Sequence, residues 1–173
     1  MSRRPHFITR ERELELMQKL LTIVDDSKFD PTDTAVIMAS PDYSATVAMH
    51  LAHAWSRNGD ILPIIPVNVA YPDETPDSYI LKMMLQQDEI TKYKRLVMVE
   101  AGIIRGGNWT WMLKILESWG YPRSNITLVA LCENIHSQVK SDYVAEYYDD
   151  EKQELTFYFE RYNRHWVNIQ RRE

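Results

Sequence analysis

VMVEAGIIRGGNWTWMLKIL, residues 97–116, decides how the rest of the chain is read. It opens as an unbroken apolar run, passes through glycines at 106 and 107, and closes with Trp109, Met112, Leu113 and Leu116 at helical spacing. An apolar run without alternation reads as a strand buried on both faces, and strand followed by helix is the unit of a parallel sheet. One acid, Glu100, stands at the end of the strand. Taken alone, the glycine pair is either a phosphate cradle or a plain tight turn, and the turn is the commoner of the two.

Outward from this segment the same alternation recurs. Thr9 can cap a helix over 9–25, with Glu11 and Glu13 suited to its first turn and Leu14, Met17, Leu20, Leu21 and Val24 as its apolar face. TAVIMAS (34–40) reads as a buried strand, broken by Pro41 and Asp42. A helix is predicted over 44–57, capped by Ser44 and burying Val47, Ala48, Leu51 and Trp55. DILPIIPVNVAY (60–71) is extended, and its prolines suit a sheet edge. A helix is predicted over 79–90, a third buried strand over 125–133, and a strand or hairpin arm within the aromatic segment 154–167. The fold class is therefore α/β, with a mostly parallel central sheet and helices on both faces. Ligands in such sheets bind beyond the carboxyl ends of the strands, which singles out the loops 39–44, 100–108 and 133–141.

The chain has 173 residues, enough for one domain with a full core, and neither a repeat nor a linker divides it. A net charge of −5 argues against duplex DNA or RNA as partner, because a phosphate backbone needs a basic face. The single cysteine, Cys132, excludes an internal disulfide and reads as a buried strand thiol. No apolar stretch reaches the length of a membrane span, and the basic N-terminus lacks the apolar core of a signal peptide. A cytoplasmic protein is the expectation.

The cradle reading has a physical basis. Gly106 and Gly107 let backbone amides turn toward one point, and they precede a helix whose first amides are unpaired and whose dipole end is positive. Asn108 can cap that helix or offer its amide to a phosphate, and Arg105 can add a charge-assisted bond. Trp109 completes the first turn.

Over residues 10–167 the chain resembles a type I phosphoribosyltransferase, of the purine and xanthine-guanine kind. LVMVEAGIIRGGN matches that family's phosphoribosyl-pyrophosphate motif in position. Glu100 matches the first of two acids and Gly106 the loop glycine. Ala101 stands where the second acid belongs, and Arg105 and Asn108 stand where the family has threonines. AVIMASPDYSATVAMHLAHAW resembles the first strand, the pyrophosphate-side loop and its helix, but lacks the basic residue and glycines of that loop. The resemblance implies a three-layer fold with a small hood around 73–94, where DSY (77–79) is similar to a Ser-Tyr pair of some purine members. It implies that Glu100 takes the ribose, that 105–109 hold the 5′-phosphate, and that Ser40, Asp42 and Tyr43 face the pyrophosphate. Glu133, Asn134 and His136, with Trp166, would lie on the base side. Magnesium would be carried by the substrate in a catalytic member, with no protein-bound metal, and the expected assembly is a homodimer.

Each assignment has a plainer alternative. Asp42 reads also as turn chemistry, His136 as a surface histidine, and Trp166 as packing under the last strands or a dimer contact. His50 and His53 read as surface residues. Lys82, Lys92 and Lys94 are within reach of a pyrophosphate but read as solvated. With one acid of two present, the sequence supports two functions: an enzyme or ligand-binding relative of the purine phosphoribosyltransferases, or a non-catalytic module on the same fold. A dinucleotide binder of the Rossmann type is disfavoured, since no G-x-G-x-x-G follows the first strand.

Overall fold

A computed structural model describes residues 4–38, 41–57, 59–67 and 87–157, and of residues 41–43 the backbone alone. Among these residues the main sheet has five strands, all parallel, in the order β3-β2-β4-β5-β6. These are β2 (Thr34–Met38), β3 (Ile64–Pro66), β4 (Arg95–Ile103), β5 (Ile126–Asn134) and β6 (Tyr143–Tyr148). Every residue of β2 is buried, as are Leu96 to Ala101 in β4. Such runs follow from helices covering both faces. One face carries α1 (Arg10–Ile23) and α2 (Pro41–Ala54), packed on Val36, Val97, Val99 and Leu131. The other carries α3 (Gln87–Ile90) and α4 (Gly107–Ser118), packed on Ile37, Met98, Leu128 and Ala130. The proline-bearing segment forms the edge strand β3, as expected.

Thr9 caps α1 by accepting the Arg12 amide at 3.1 Å. The buried stripe of α1 is Glu13, Leu16, Met17 and Leu20, followed by Val24. Leu14, expected inside, is 49% exposed, because it lies one position round from that stripe. Helix α2 begins at Pro41 rather than Ser44. Proline suits the first helical turn, so Ser44 is no cap but a buried residue inside the helix. Likewise Asn108 is not the cap of α4. That position belongs to Gly106, at φ +78°, with no side-chain cap.

The connection into one strand and the pairing of another depart from the sequence pattern. Strand β6 follows β5 without a crossover helix; an extended return over 135–142 brings Asp142 back beside Leu128, whose carbonyl accepts the Asp142 amide at 2.9 Å. Strand β7 (Gln153–Phe157) is not a hairpin arm. It pairs in parallel with β1 (Arg4–Ile8) as a separate two-stranded sheet. A Cβ at Gly102 would meet the Phe157 ring at 3.0 Å and Leu155 at 3.1 Å, so the small sheet packs against the end of β4 at a residue without a side chain. Most of the helix over 79–90 and of the expected hood, with DSY and Lys82, lies outside the described residues, as does the aromatic segment beyond 157.

Candidate functional site

Beyond the carboxyl end of β4 the chain forms a pocket of about 650 Å³, lined by Glu100, the 102–108 turn and Trp111. Glu100 is 2% exposed and held from two sides. Its Oε2 accepts the Ser44 hydroxyl at 2.8 Å, and its Oε1 accepts the Asn108 side-chain amide at 3.3 Å. The Ser44 oxygen in turn accepts the Ala101 amide at 3.2 Å. Because an amide only donates, the one hydroxyl proton of Ser44 is directed at Glu100. Ala101 itself is fully buried in the apolar cluster with Val99, Val129 and Leu131.

The amides and the carbonyls of the turn have opposite fates. Among the described residues the amides of Gly106, Gly107 and Trp109 meet no protein acceptor. The carbonyls are occupied: Ile103 by the Tyr148 hydroxyl at 3.2 Å, Ile104 by the Asn134 side chain at 2.8 Å, Arg105 by the Gln138 amide at 3.3 Å, and Gly106 by the Thr110 amide at 3.0 Å. Arg105 is exposed and pairs with no acid among the described residues. Among the described residues the lining thus offers unpaired amide donors at the positive end of a twelve-residue helix.

The two glycines do different work. A Cβ at Gly106 would stand 2.8 Å from the Ser137 hydroxyl oxygen and 3.1 Å from the Val139 amide nitrogen, at a φ that side chains rarely adopt. Gly107 faces open space. Gly106 therefore lets the turn lie against the 137–139 segment, and Gly107 leaves the pocket clear.

The structure brings Glu100, Arg105, Gly106, Gly107 and Asn108 to one pocket. Trp109 is not among the residues that line it; its side chain is buried in the core cluster with Met112, Leu116 and Ile37. Glu133 and Asn134 turn inward. Glu133 is fully buried, accepting the Ser141 amide at 2.8 Å and standing 3.4 Å from Lys140 Nζ. Asn134 bonds the Ile104 carbonyl and accepts the His136 and Asp150 amides at 3.1 and 3.4 Å, so it fastens the site turn to two neighbouring loops. His136 is exposed, with Nε2 3.4 Å from Asp149. His136, Asp149 and Glu151 set ligand atoms within 4.8 Å of one another, but Lys152 already bonds Asp149 at 2.6 Å. Ser40, the side chains of Asp42 and Tyr43, and Trp166 lie outside the described residues. His50, His53, Lys92 and Lys94 are exposed, as expected.

Ser44 is the residue that sequence reasoning missed. Its position at a strand-to-helix turn suggested a cap; its partner lies 56 residues away.

The sequence matches no protein-family model, and no curated protein matches it. Solved structures do match in shape. A Neisseria gonorrhoeae protein with bound ppGpp superposes with a TM-score of 0.67 at 14% identity, over 95% of this chain and 96% of its own. Helicobacter pylori xanthine-guanine-hypoxanthine phosphoribosyltransferase gives 0.64 at 14%, over 96% and 99%. The purine phosphoribosyltransferase of Pyrococcus horikoshii gives 0.59 at 15%, over 91% and 93%. At such identities the likeness is one of fold, and the fold is that of the type I phosphoribosyltransferases.

Proposed function

We propose that this chain, built as one domain on the type I phosphoribosyltransferase fold, binds a 5-phosphoribosyl or nucleotide ligand in the pocket at the end of β4. The carrying observation is the pair of lining amides at Gly106 and Gly107, which meet no protein acceptor among the described residues, at the N-terminus of α4. A phosphate there meets amide donors and a positive dipole end, with Arg105 in the same lining. Glu100, in the same pocket, accepts a sugar hydroxyl and places negative charge near an oxocarbenium-like carbon. Transfer of the phosphoribosyl group to a purine-type base is the reaction this arrangement suits. The base side falls to His136 and Trp166, since Glu133 and Asn134 are committed to the protein's own amides. Magnesium neutralises a pyrophosphate when bound by the substrate's own oxygens. That fits a pocket whose one lining carboxylate, among the described residues, is already engaged by Ser44 and Asn108. We place the protein in the cytoplasm, as a homodimer with no nucleic-acid partner.

A second reading, a non-catalytic regulatory or interaction module that keeps the phosphate site, is favoured by Ala101. That residue offers no second carboxylate, and its methyl group is buried in the apolar core. The loss of preorganised charge of this kind costs on the order of 10²-fold or more in rate.

Thermal stabilisation tests the proposal. Phosphoribosyl pyrophosphate with magnesium, nucleoside monophosphates and ppGpp are compared on the wild type and on Gly107→Val. A melting shift with any of them, lost in the folded variant, supports the site. No shift with any of them rejects it. Release of pyrophosphate in the presence of a purine base then separates the enzyme from the module.

A further inference from the structure

We infer that Lys140 is a positioning residue of the phosphate site: by answering the buried carboxylate of Glu133 it holds the 137–139 segment against the Gly106 turn. The inference deepens the proposed function and rests on it. Glu133 lies near the carboxyl end of β5 with its side chain fully buried. Its Oε2 accepts the Ser141 amide at 2.8 Å. Among the described residues no donor reaches its Oε1 with hydrogen-bond geometry, and the one cation paired with it is Lys140, whose Nζ stands 3.4 Å away. A carboxylate so placed is strongly unfavourable without a countercharge. The same ammonium donates to the Ile135 carbonyl at 2.9 Å and to the Asn134 carbonyl at 3.3 Å. One side chain thus fastens the far end of the return from β5 to its near end.

What lies between these fastenings is the seat of the phosphate turn. The Gln138 amide donates to the Arg105 carbonyl at 3.3 Å. The Ser137 hydroxyl, which donates to the Val139 carbonyl at 2.7 Å, would stand 2.8 Å from a Cβ on Gly106, and the Val139 amide nitrogen 3.1 Å from it. Contact this close ties the position of the turn, and of its Gly106 and Gly107 amides, to the position of the segment. Lys140 is not among the residues that line the pocket, and its side chain is 52% exposed. Its effect on a phosphate is therefore carried by the segment rather than by contact. Without its charge the buried carboxylate draws in water or pulls away, and the segment moves off the turn.

The test is calorimetric titration with inorganic phosphate of the full wild-type chain, Lys140→Met, Lys140→Arg, and Lys140→Met combined with Glu133→Gln. Lys140→Met is expected to bind phosphate about tenfold more weakly, both at about 0.15 M salt and at about 1 M, where exposed charges are screened. Lys140→Arg and the double variant are expected within about threefold of the wild type, since the first keeps the countercharge and the second removes the need for it. Wild-type affinity in Lys140→Met overturns the inference. So does a double variant more than about threefold weaker than the wild type, or a loss that disappears at high salt. Each of these leaves the phosphate site standing. Should Lys140→Met fail to fold, the double variant decides by the same threshold. Absence of phosphate binding by the wild type overturns the phosphate site, and this inference with it.

Discussion

The Ser44 hydroxyl donates to Glu100 Oε2 at 2.8 Å, and this one bond ties the first turn of α2 to the end of β4. Both residues are buried, so neither partner has water to fall back on. Ser44→Ala leaves the Glu100 oxygen without its donor and the Ala101 amide without its acceptor. Its expected cost is about 1–3 kcal/mol in urea unfolding. An unchanged urea midpoint would show the bond to be incidental.

Gly106 and Gly107 are adjacent, and their alanine variants should separate. Gly106→Ala combines a left-handed backbone with a contact of 2.8 Å to Ser137, and is expected to lose about 2–4 kcal/mol. Gly107→Ala meets nothing within 4 Å and should keep wild-type stability to within about 1 kcal/mol, while the new methyl group enters the pocket and weakens phosphate binding. Chemical denaturation and titration of both variants decide the matter. Equal stability would contradict the close approach at Gly106.

Restoring the second acid is not a repair. Ala101→Asp would put a carboxylate into the apolar cluster that holds Val99, Val129 and Leu131. A destabilisation of about 3–5 kcal/mol is expected, as for an unpaired buried charge. A variant as stable as the wild type would show that the strand can turn this residue toward the pocket.

Glu146 on β6 predicts an acid-sensitive joint. Burial alone raises its carboxyl, but hydrogen bonds from Arg12 and His6 outweigh this and hold it below the ordinary carboxylate value. Its Oε1 lies 2.7 Å from His6 Nε2, and the Arg12 Nε bonds Oε2 at 3.1 Å. A depressed folded value means that the contribution is complete above the unfolded carboxyl value of about 4.3 and is lost as the pH falls through the folded one. Wild type should therefore exceed Glu146→Gln in stability near neutrality, with the gap closing below about pH 4. A gap independent of pH, measured by urea midpoints at pH 7 and 3.5, would rule this out.

Cys132 is fully buried, and burial, with the Glu146 carboxylate nearby, pushes its thiol beyond the alkaline range. The thiolate is the reactive form, so a disulfide reagent should leave the native protein unlabelled and react once it unfolds. Rapid labelling of the folded chain would contradict that placement.

The legible parts of the fold were those with their own signal. Strands β2, β4 and β5 are apolar without interruption because helices cover them on both sides, and α1 and α4 carry stripes at helical spacing. Strand β1 has no such signal. RPHFI contains a proline and two basic residues, and it is a strand because β7 pairs with it. Strand β6 was hidden by an eight-residue return where a crossover helix is the rule.

At the site, the glycine pair and Glu100 could be read locally, since each has a meaning fixed by its neighbours in sequence. Glu133 and Asn134 stand on the base side only through the family resemblance, not through any local signal of their own. The strand in fact runs through residue 134, and their side chains meet amides of the returning loop. Ser44 could not be found locally at all, because its role exists only once two distant segments meet.

The pairing of β1 with β7 also sets an order of events. His6 and Gln153, whose side chains meet at 3.4 Å across it, are 147 positions apart. During synthesis β1 emerges before the main sheet and must wait until all five of its strands have been made before its partner exists. The gap in sequence makes this pairing the slowest to find by chance. Strands β2, β4 and β5 can assemble without it, yet the underside of β4 at Gly102 is sealed only when Leu155 and Phe157 arrive. The pocket should therefore ripen late on the folding path, and a nascent chain halted before residue 157 would hold the turn but not its support.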